Sequence, residues 1–271
     1  MTKRVFITGG ASGLGRALAL RYARAGARVC IGDINPEQGV EVEREITDTG
    51  GEGLFATCDV RRIADLEKVR DQLVEKWGGV DVVVNNAGVA TSGSIEGSTL
   101  TDWEWILDIN VMGVVRGCKA FTPLFKKQKQ GTFVNVASMA GLMLAPLMSS
   151  YNVSKAGVIA LSETLSMELR EDGIKVACVC PAFFPTNLTS SMRSDIPGMD
   201  INVNKLMKRS GVTADDVADD ILRAEKNGDF WVLPHVKERR MWMLKRHAPW
   251  AFDWLMHQES KRWIRKFGGT A

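Results

Sequence analysis

Residues 4–8, Arg-Val-Phe-Ile-Thr, form a β-rich run that breaks into Gly9-Gly-Ala-Ser-Gly13-Leu-Gly15 and resumes as a helical pattern to residue 25. No other stretch restricts the fold so sharply. Strand, glycine turn and helix in that order begin a βαβ unit, and such units build a parallel sheet with helices on its faces. The glycines let backbone N–H groups approach a pyrophosphate, and the helix N-terminus adds its dipole. Gly9, Ser12, Gly13, Leu14 and Gly15 are therefore candidate dinucleotide contacts. The spacing is G-x3-G-x-G, and a purely structural turn is the plain alternative.

The alternation continues along the chain. Runs 27–32, 53–58, 80–85, 131–137, 174–180 and 230–233 read as strands. Runs 36–49, 62–77, 100–125, 150–170 and 214–227 read as helices, the last with Thr213 as its N-cap. The expected fold class is α/β: a Rossmann-type, doubly wound parallel sheet of about seven strands with helices on both faces. No linker or repeat divides residues 1–234, so they are expected to form one domain, with 235–271 a C-terminal helical extension. The helix 150–170 is apolar nearly all round as far as Leu165. That predicts cover on both sides, by the sheet and by a partner subunit.

Ligands of an open α/β sheet bind at the carboxyl ends of its strands. Asp33 ends the second strand, where a carboxylate accepts from ribose hydroxyls and repels a 2′-phosphate; NAD is therefore expected over NADP. Asp59 and Val60 end the third strand, with Asp59 placed for an adenine amino group or for a helix N-cap. Asn86, Ala87 and Gly88 follow the fourth, and Ser138 follows the run 131–137. Tyr151 and Lys155 are one helical turn apart, so phenol and ammonium share a face. A cation beside a phenol favours the phenolate and lowers its pKa, which makes Tyr151 an acid–base candidate. Asn110 sits in an otherwise apolar helical stretch and must find partners, as a brace or as part of a site.

With Thr8-Gly9-x3-Gly13-x-Gly15, Asp59-Val60, Asn85-Asn86-Ala87-Gly88, Asn110, Ser138 and Tyr151-x3-Lys155 in this order, residues 3–233 resemble the short-chain dehydrogenases/reductases. The resemblance implies an oxidoreductase interconverting an alcohol and a carbonyl by hydride transfer with a nicotinamide cofactor. In it Tyr151 is the acid or base. Lys155 lowers the tyrosine pKa and holds the nicotinamide ribose, Ser138 binds the substrate oxygen, and Asn110 braces a water on the proton path. Asn86 and Gly88 lie along the cofactor, and Thr186, in Pro-x4-Thr after strand 174–180, holds its carboxamide. Two departures stand out: Pro181-Ala182 replaces Pro-Gly, and Pro234 with a long tail replaces a glycine-rich end. The second favours a homodimer over a tetramer. A non-catalytic redox sensor on the same fold is the alternative, disfavoured because Asn110, Ser138, Tyr151 and Lys155 are all present.

Met139, Met143, Met148, Met192, Met199 and Met207 flank the proposed centre, and residues 139–150 carry no Lys or Arg. Methionine suits adaptable apolar surfaces, so a small lipophilic alcohol or ketone is the expected substrate. The net charge of +3 is uneven: residues 235–271 hold nine Lys/Arg against three Asp/Glu, which leaves the body at −3. Residues 238–267 mix these cations with aromatic residues, among them Trp242, Trp250, Trp254, Trp263 and Phe267. Docking on the body is expected first and peripheral membrane contact second; no recognition motif points to nucleic acid. The five cysteines are an odd number and widely spread, which fits buried free thiols. Cys178 and Cys180 are read as facing opposite sides of a strand, and no metal site is expected. The apolar run of residues 5–7 is too short for a signal peptide or a membrane span, so a reducing cytoplasm is the expected location.

Overall fold

The computed structural model describes residues 2–267, with side chains as far as Arg265. Met1 and residues 268–271, the ends of the two expected segments, lie outside the described residues, as does the Phe267 side chain. The first half runs β1 (Arg4–Thr8), α1 (Gly13–Arg24), β2 (Arg28–Asp33), α2 (Pro36–Asp48), β3 (Glu52–Thr57), α3 (Ile63–Trp77) and β4 (Val82–Asn85). Then come β5 (Thr91–Ser92), α4 (Leu100–Leu107), a π-helical turn (Asp108–Met112), α5 (Gly113–Gln128) and β6 (Gly131–Val136). Next are α6 (Ala140–Met143), α7 (Ser149–Glu168), β7 (Ile174–Val179), β8 (Arg193–Ser194) and α8 (Met199–Lys208). The chain continues through α9 (Ala214–Asn227), β9 (Trp231–Val232), α10 (Val236–His247) and α11 (Pro249–Phe267).

Seven of these strands form one parallel sheet in the order β3-β2-β1-β4-β6-β7-β9. Strands β4 and β6 are buried along their whole length, so neither shows the apolar-polar alternation of a half-exposed strand, and their polar side chains Asn85 and Asn135 bond each other at 2.8 Å. Neighbours along a strand point to opposite faces. Val5 and Ile7 of β1 accordingly join Leu18, Ile46 and Ile221 under α1, α2 and α9. Phe6 joins Leu73, Phe121 and Val158 under α3, α5 and α7. The strand order reverses between β1 and β4, and the crevice this opens lies where both the glycine turn and residues 86–88 emerge.

On α7 the chain leaves Val153 49% and Met167 67% exposed. Two expectations change. The single helix expected over 100–125 is broken by the π turn, whose extra backbone residue re-aims Asn110. Cys178 and Cys180 do not face opposite sides, because residues two apart on a strand share a face; their buried thiols are hydrogen-bonded at 3.9 Å between Sγ atoms and form no disulfide. Among the described residues no group of metal-ligating side chains forms, and no helix is long and apolar enough to cross a membrane.

Candidate active site

The turn after β1 is built for close approach. Gly9 and Gly13 have φ of 64° and 52°, in the left-handed region open mainly to glycine. A Cβ on Gly15 would lie 2.1 Å from the Gly9 carbonyl oxygen, so α1 presses its first turn against the loop. The N-terminus of α1 carries no acidic residue in its first turn, and the Ser12 side chain does not cap it. Leu14 is buried beneath, and Gly9, Ser12, Gly13 and Leu14 all line the cleft. These backbone donors and the absent Cβ atoms fit a pyrophosphate. Gly15→Ala is expected to weaken dinucleotide binding about tenfold or more, because the clash is with backbone rather than with a movable side chain. Titration of the variant with reduced dinucleotide, followed by fluorescence, measures it.

Asn86 braces this turn from the neighbouring strand. Its Nδ2 donates to Thr8 O (2.9 Å) and Gly9 O (3.0 Å), while Thr8 Oγ1 accepts from the N–H groups of Asn86 and Ala87. At the adenosine end, Asp33 accepts from Ala11 N–H (3.0 Å) through Oδ2 and from Asn35 N–H (3.1 Å) through Oδ1. Asp59 is not the N-cap of α3, a place taken by Arg62. Both its carboxylate oxygens receive the Arg61 guanidinium at 2.6–3.0 Å, and that hydrogen bonding holds the carboxyl below the usual range. An adenine amino group would share Asp59 with Arg61. Val60 also faces the cleft.

The other end of the cleft collects the candidate acid–base residues. Ser138, two residues beyond β6, is buried; its Oγ donates to Pro181 O (3.3 Å) and accepts from Ala140 N–H (3.1 Å). Tyr151 and Lys155 enter from α7, with Lys155 Nζ 5.8 Å from the tyrosine ring centroid. Lys155 Nζ donates to Val136 O at 3.0 Å. Asn110 Oδ1 accepts from Val89 N–H (2.8 Å), and its Nδ2 donates to Val89 O and Ser154 Oγ (both 3.0 Å). It braces the segment that holds Gly88, where a Cβ would lie 3.2 Å from Asn110 Oδ1 and 3.5 Å from Lys155 Nζ. Thr186 stands over the glycine turn, close to Gly13, and its Oγ1 accepts from Leu188 N–H.

One electrostatic expectation needs correction. Burial pushes the Tyr151 phenol up to about 12, and a hydrogen bond with Ser138 opposes this only in part. Burial also lowers Lys155 to about 8, so desolvation works against the charged form of both groups. Residue spacing showed that phenol and ammonium meet; it carried no measure of how dry their surroundings are.

A cleft of about 1010 Å³ joins the two ends. Near Tyr151 its wall is apolar, with Trp105, Met143, Met148, Leu188, Met192 and Met207. Met139 lines it too, whereas Met199 is buried in a neighbouring group with Val203. Several residues that fix this end carried no legible sequence signal. Arg193 bonds Asp102 at 3.0 Å and lies 3.9 Å over the Trp105 ring, while β8 pairs with β5; together they tie the segment after Thr186 across the cleft. His235 is buried: its Nδ1 accepts from Ala182 N–H (3.2 Å), leaving Nε2 to donate to Phe183 O (3.1 Å). It steadies the loop in which alanine replaces the expected glycine. A lone histidine 53 residues away carries no spacing to reveal this.

The tail packs inward on one side. Trp242 lies 5.2 Å from Trp231, and Lys245 Nζ donates to Leu142 O at 2.7 Å. Trp263 packs on the Met199 group, and Glu238 reaches the cleft wall.

Comparison with known proteins agrees with this geometry. Residues 3–197 match the family profile described as short chain dehydrogenase. An uncharacterized oxidoreductase of Thermotoga maritima is 39% identical over 179 residues, 66% of this chain and 70% of that protein. The CLA biosynthesis dehydrogenase/reductase of Lactiplantibacillus plantarum is 32% identical over 251 residues, 86% and 88% of the two chains. A short-chain dehydrogenase/reductase from Burkholderia phymatum, solved in complex with NAD, superposes with a TM-score of 0.85 at 30% identity, covering 90% of this chain and 93% of that one.

Proposed function

The chain belongs to the short-chain dehydrogenase family, and from that premise we propose that it interconverts a lipophilic secondary alcohol and its ketone, with NAD as the cofactor. The observation that carries this reading is the convergence of Ser138, Tyr151, Lys155 and Asn110 at the apolar end of a cleft whose other end is the glycine turn. A bound nicotinamide supplies or accepts the hydride. The protein supplies position and electrostatics. Ser138 Oγ hydrogen-bonds the substrate oxygen, and Tyr151 Oη takes the hydroxyl proton in oxidation or returns it in reduction. Lys155, anchored on Val136 O with its Nζ 5.8 Å from the Tyr151 ring centroid, holds a ribose hydroxyl. Asn110 keeps residues 88–89 in line with Ser154 on α7. With this set intact, a sensor without turnover has no observation in its favour.

Asp33 supports NAD over NADP. Its oxygens already accept two backbone N–H groups, and a 2′-phosphate would bring a second anion against them. The same reading includes a homodimer, since the outer face of α7 exposes Val153 and Met167.

The test is reduction of NAD and NADP over secondary alcohols graded by length and polarity. NAD is expected to lead by about tenfold or more, with the lead narrowed in Asp33→Ser. In kcat/KM each added methylene is expected to contribute about fourfold until the cleft is filled. Activity confined to small polyols would remove the lipophilic substrate, and a lead for NADP would remove the role of Asp33.

A further inference from the structure

We propose that the outward side of α10 and α11 docks on an anionic lipid surface. The inner sides of both helices are anchored through Trp242, Lys245, Phe252 and Trp263. Among the described residues the outer sides are exposed, and of the outer cations Arg239, Arg240, Arg246, Lys261 and Arg265 only Arg246 leans on an anchoring ring, 5.7 Å from the centroid of Trp242. On α11, Trp250 and Trp254 are 77% and 66% exposed. Lys261, Ile264 and Arg265 fall within the same sector at 100° per residue and are exposed as well. On α10, Arg239, Arg240, Met243 and Arg246 are exposed, and no exposed acid stands among them. Of the tail's three acids, Glu238 is turned to the cleft and Glu259 is paired with Arg262 at 2.8 Å; Asp253 stands at the edge of the tryptophan sector.

Between the helices the surface sinks into an apolar depression lined by Leu244, Trp250, Ala251, Trp254 and Leu255. Tryptophan is the side chain that gains most at a membrane interface, with its apolar rings in the headgroup region, and cations beside it draw the helix to anionic headgroups. The tail holds the whole positive excess of the chain, nine Lys/Arg against three Asp/Glu. No described helix is long and apolar enough to cross a membrane, so the contact is peripheral. A second copy fits this face poorly, because two-fold pairing would bring the basic patch of Arg239, Arg240 and Arg246 against the same patch of the other copy. Docked in this way, the helix that carries Glu238 brings one wall of the cleft to the lipid side. The lipid contact itself does not depend on the proposed reaction.

The full-length protein is mixed with phosphatidylcholine vesicles, with and without phosphatidylglycerol, and the bound fraction is read by co-sedimentation at two salt concentrations. Binding is expected only with phosphatidylglycerol, falling as salt rises. The double variants Trp250→Ser/Trp254→Ser and Arg240→Glu/Lys261→Glu are each expected to weaken it about tenfold or more. These side chains lie outside the cleft, so NAD reduction with a short soluble alcohol should stay as in the wild type, which separates a folding failure from a lost surface. The proposal is overturned by equal binding to both vesicle types, by no binding to either, or by double variants that bind as wild type. It is also overturned if Trp250→Ser/Trp254→Ser turns a dimer into monomers while the wild type never binds vesicles, which would make this face a contact between copies.

Discussion

Tyr151→Phe is expected to lower kcat by about 10²–10⁴-fold while leaving affinity for reduced dinucleotide within about twofold. The phenyl ring keeps the shape of a side chain that is only 7% exposed, and the single change is the loss of the hydroxyl proposed to carry the proton. Ser138 keeps Pro181 O and Ala140 N–H as partners, so the neighbourhood holds together. Steady-state turnover and fluorescence titration of the same preparation check both halves. Undiminished turnover would remove Tyr151 from the reaction, and lost dinucleotide binding would give it a structural role instead.

The second large effect carries opposite signs for activity and stability. Lys155→Met should reduce turnover by about 10²-fold or more, yet stabilise the cofactor-free protein near neutral pH. Lys155 loses its proton at about 8 in the folded chain against an ordinary 10.5, a difference of about 3 kcal/mol against holding the charge in this dry position. Losing its hydrogen bond to Val136 O returns about 1 kcal/mol of that, so the net gain is about 2 kcal/mol, or about 4 °C in Tm. The pH dependence fixes the cause. Between pH 8 and 10.5 the unfolded chain binds more protons than the folded one, so wild-type stability rises across that window. The advantage of Lys155→Met should therefore be full below pH 8 and fade towards 10.5. Thermal unfolding of both proteins from pH 7 to 10 measures this, and a difference independent of pH would mean that packing rather than charge sets it.

Stability spent on a buried lysine belongs to the active site, and it was not legible in the residue pattern. Tyr151-x3-Lys155 is readable because a helix repeats every 3.6 residues, so four positions always bring two side chains to one face. Whether that face is wet or dry depends on Met139, Ser138 and Cys180, which arrive from β6 and β7. The two cysteines show the same local rule misapplied: residues two apart on a strand share a face, and the thiols meet. Asn110 was legible as a buried polar group in need of partners. The π turn that aims it was not, since nothing in Asp108–Met112 departs from ordinary helix composition.

By itself the sequence determined the class of fold, the glycine turn after β1 and the pairing of Tyr151 with Lys155 on one helix face. Each rests on short-range periodicity or on the absence of a Cβ, which residues carry wherever the chain goes. Tertiary structure decided what depends on contacts between distant segments. Arg193 ties across the cleft to Asp102 and Trp105, and His235 steadies the loop at Ala182. Met199 is buried away from the cleft while Met207 lines it. Lys155 and Tyr151 are both held against their charged forms. Desolvation decides that last point, because it sums over every atom packed around a group, and chain spacing does not record which atoms those are.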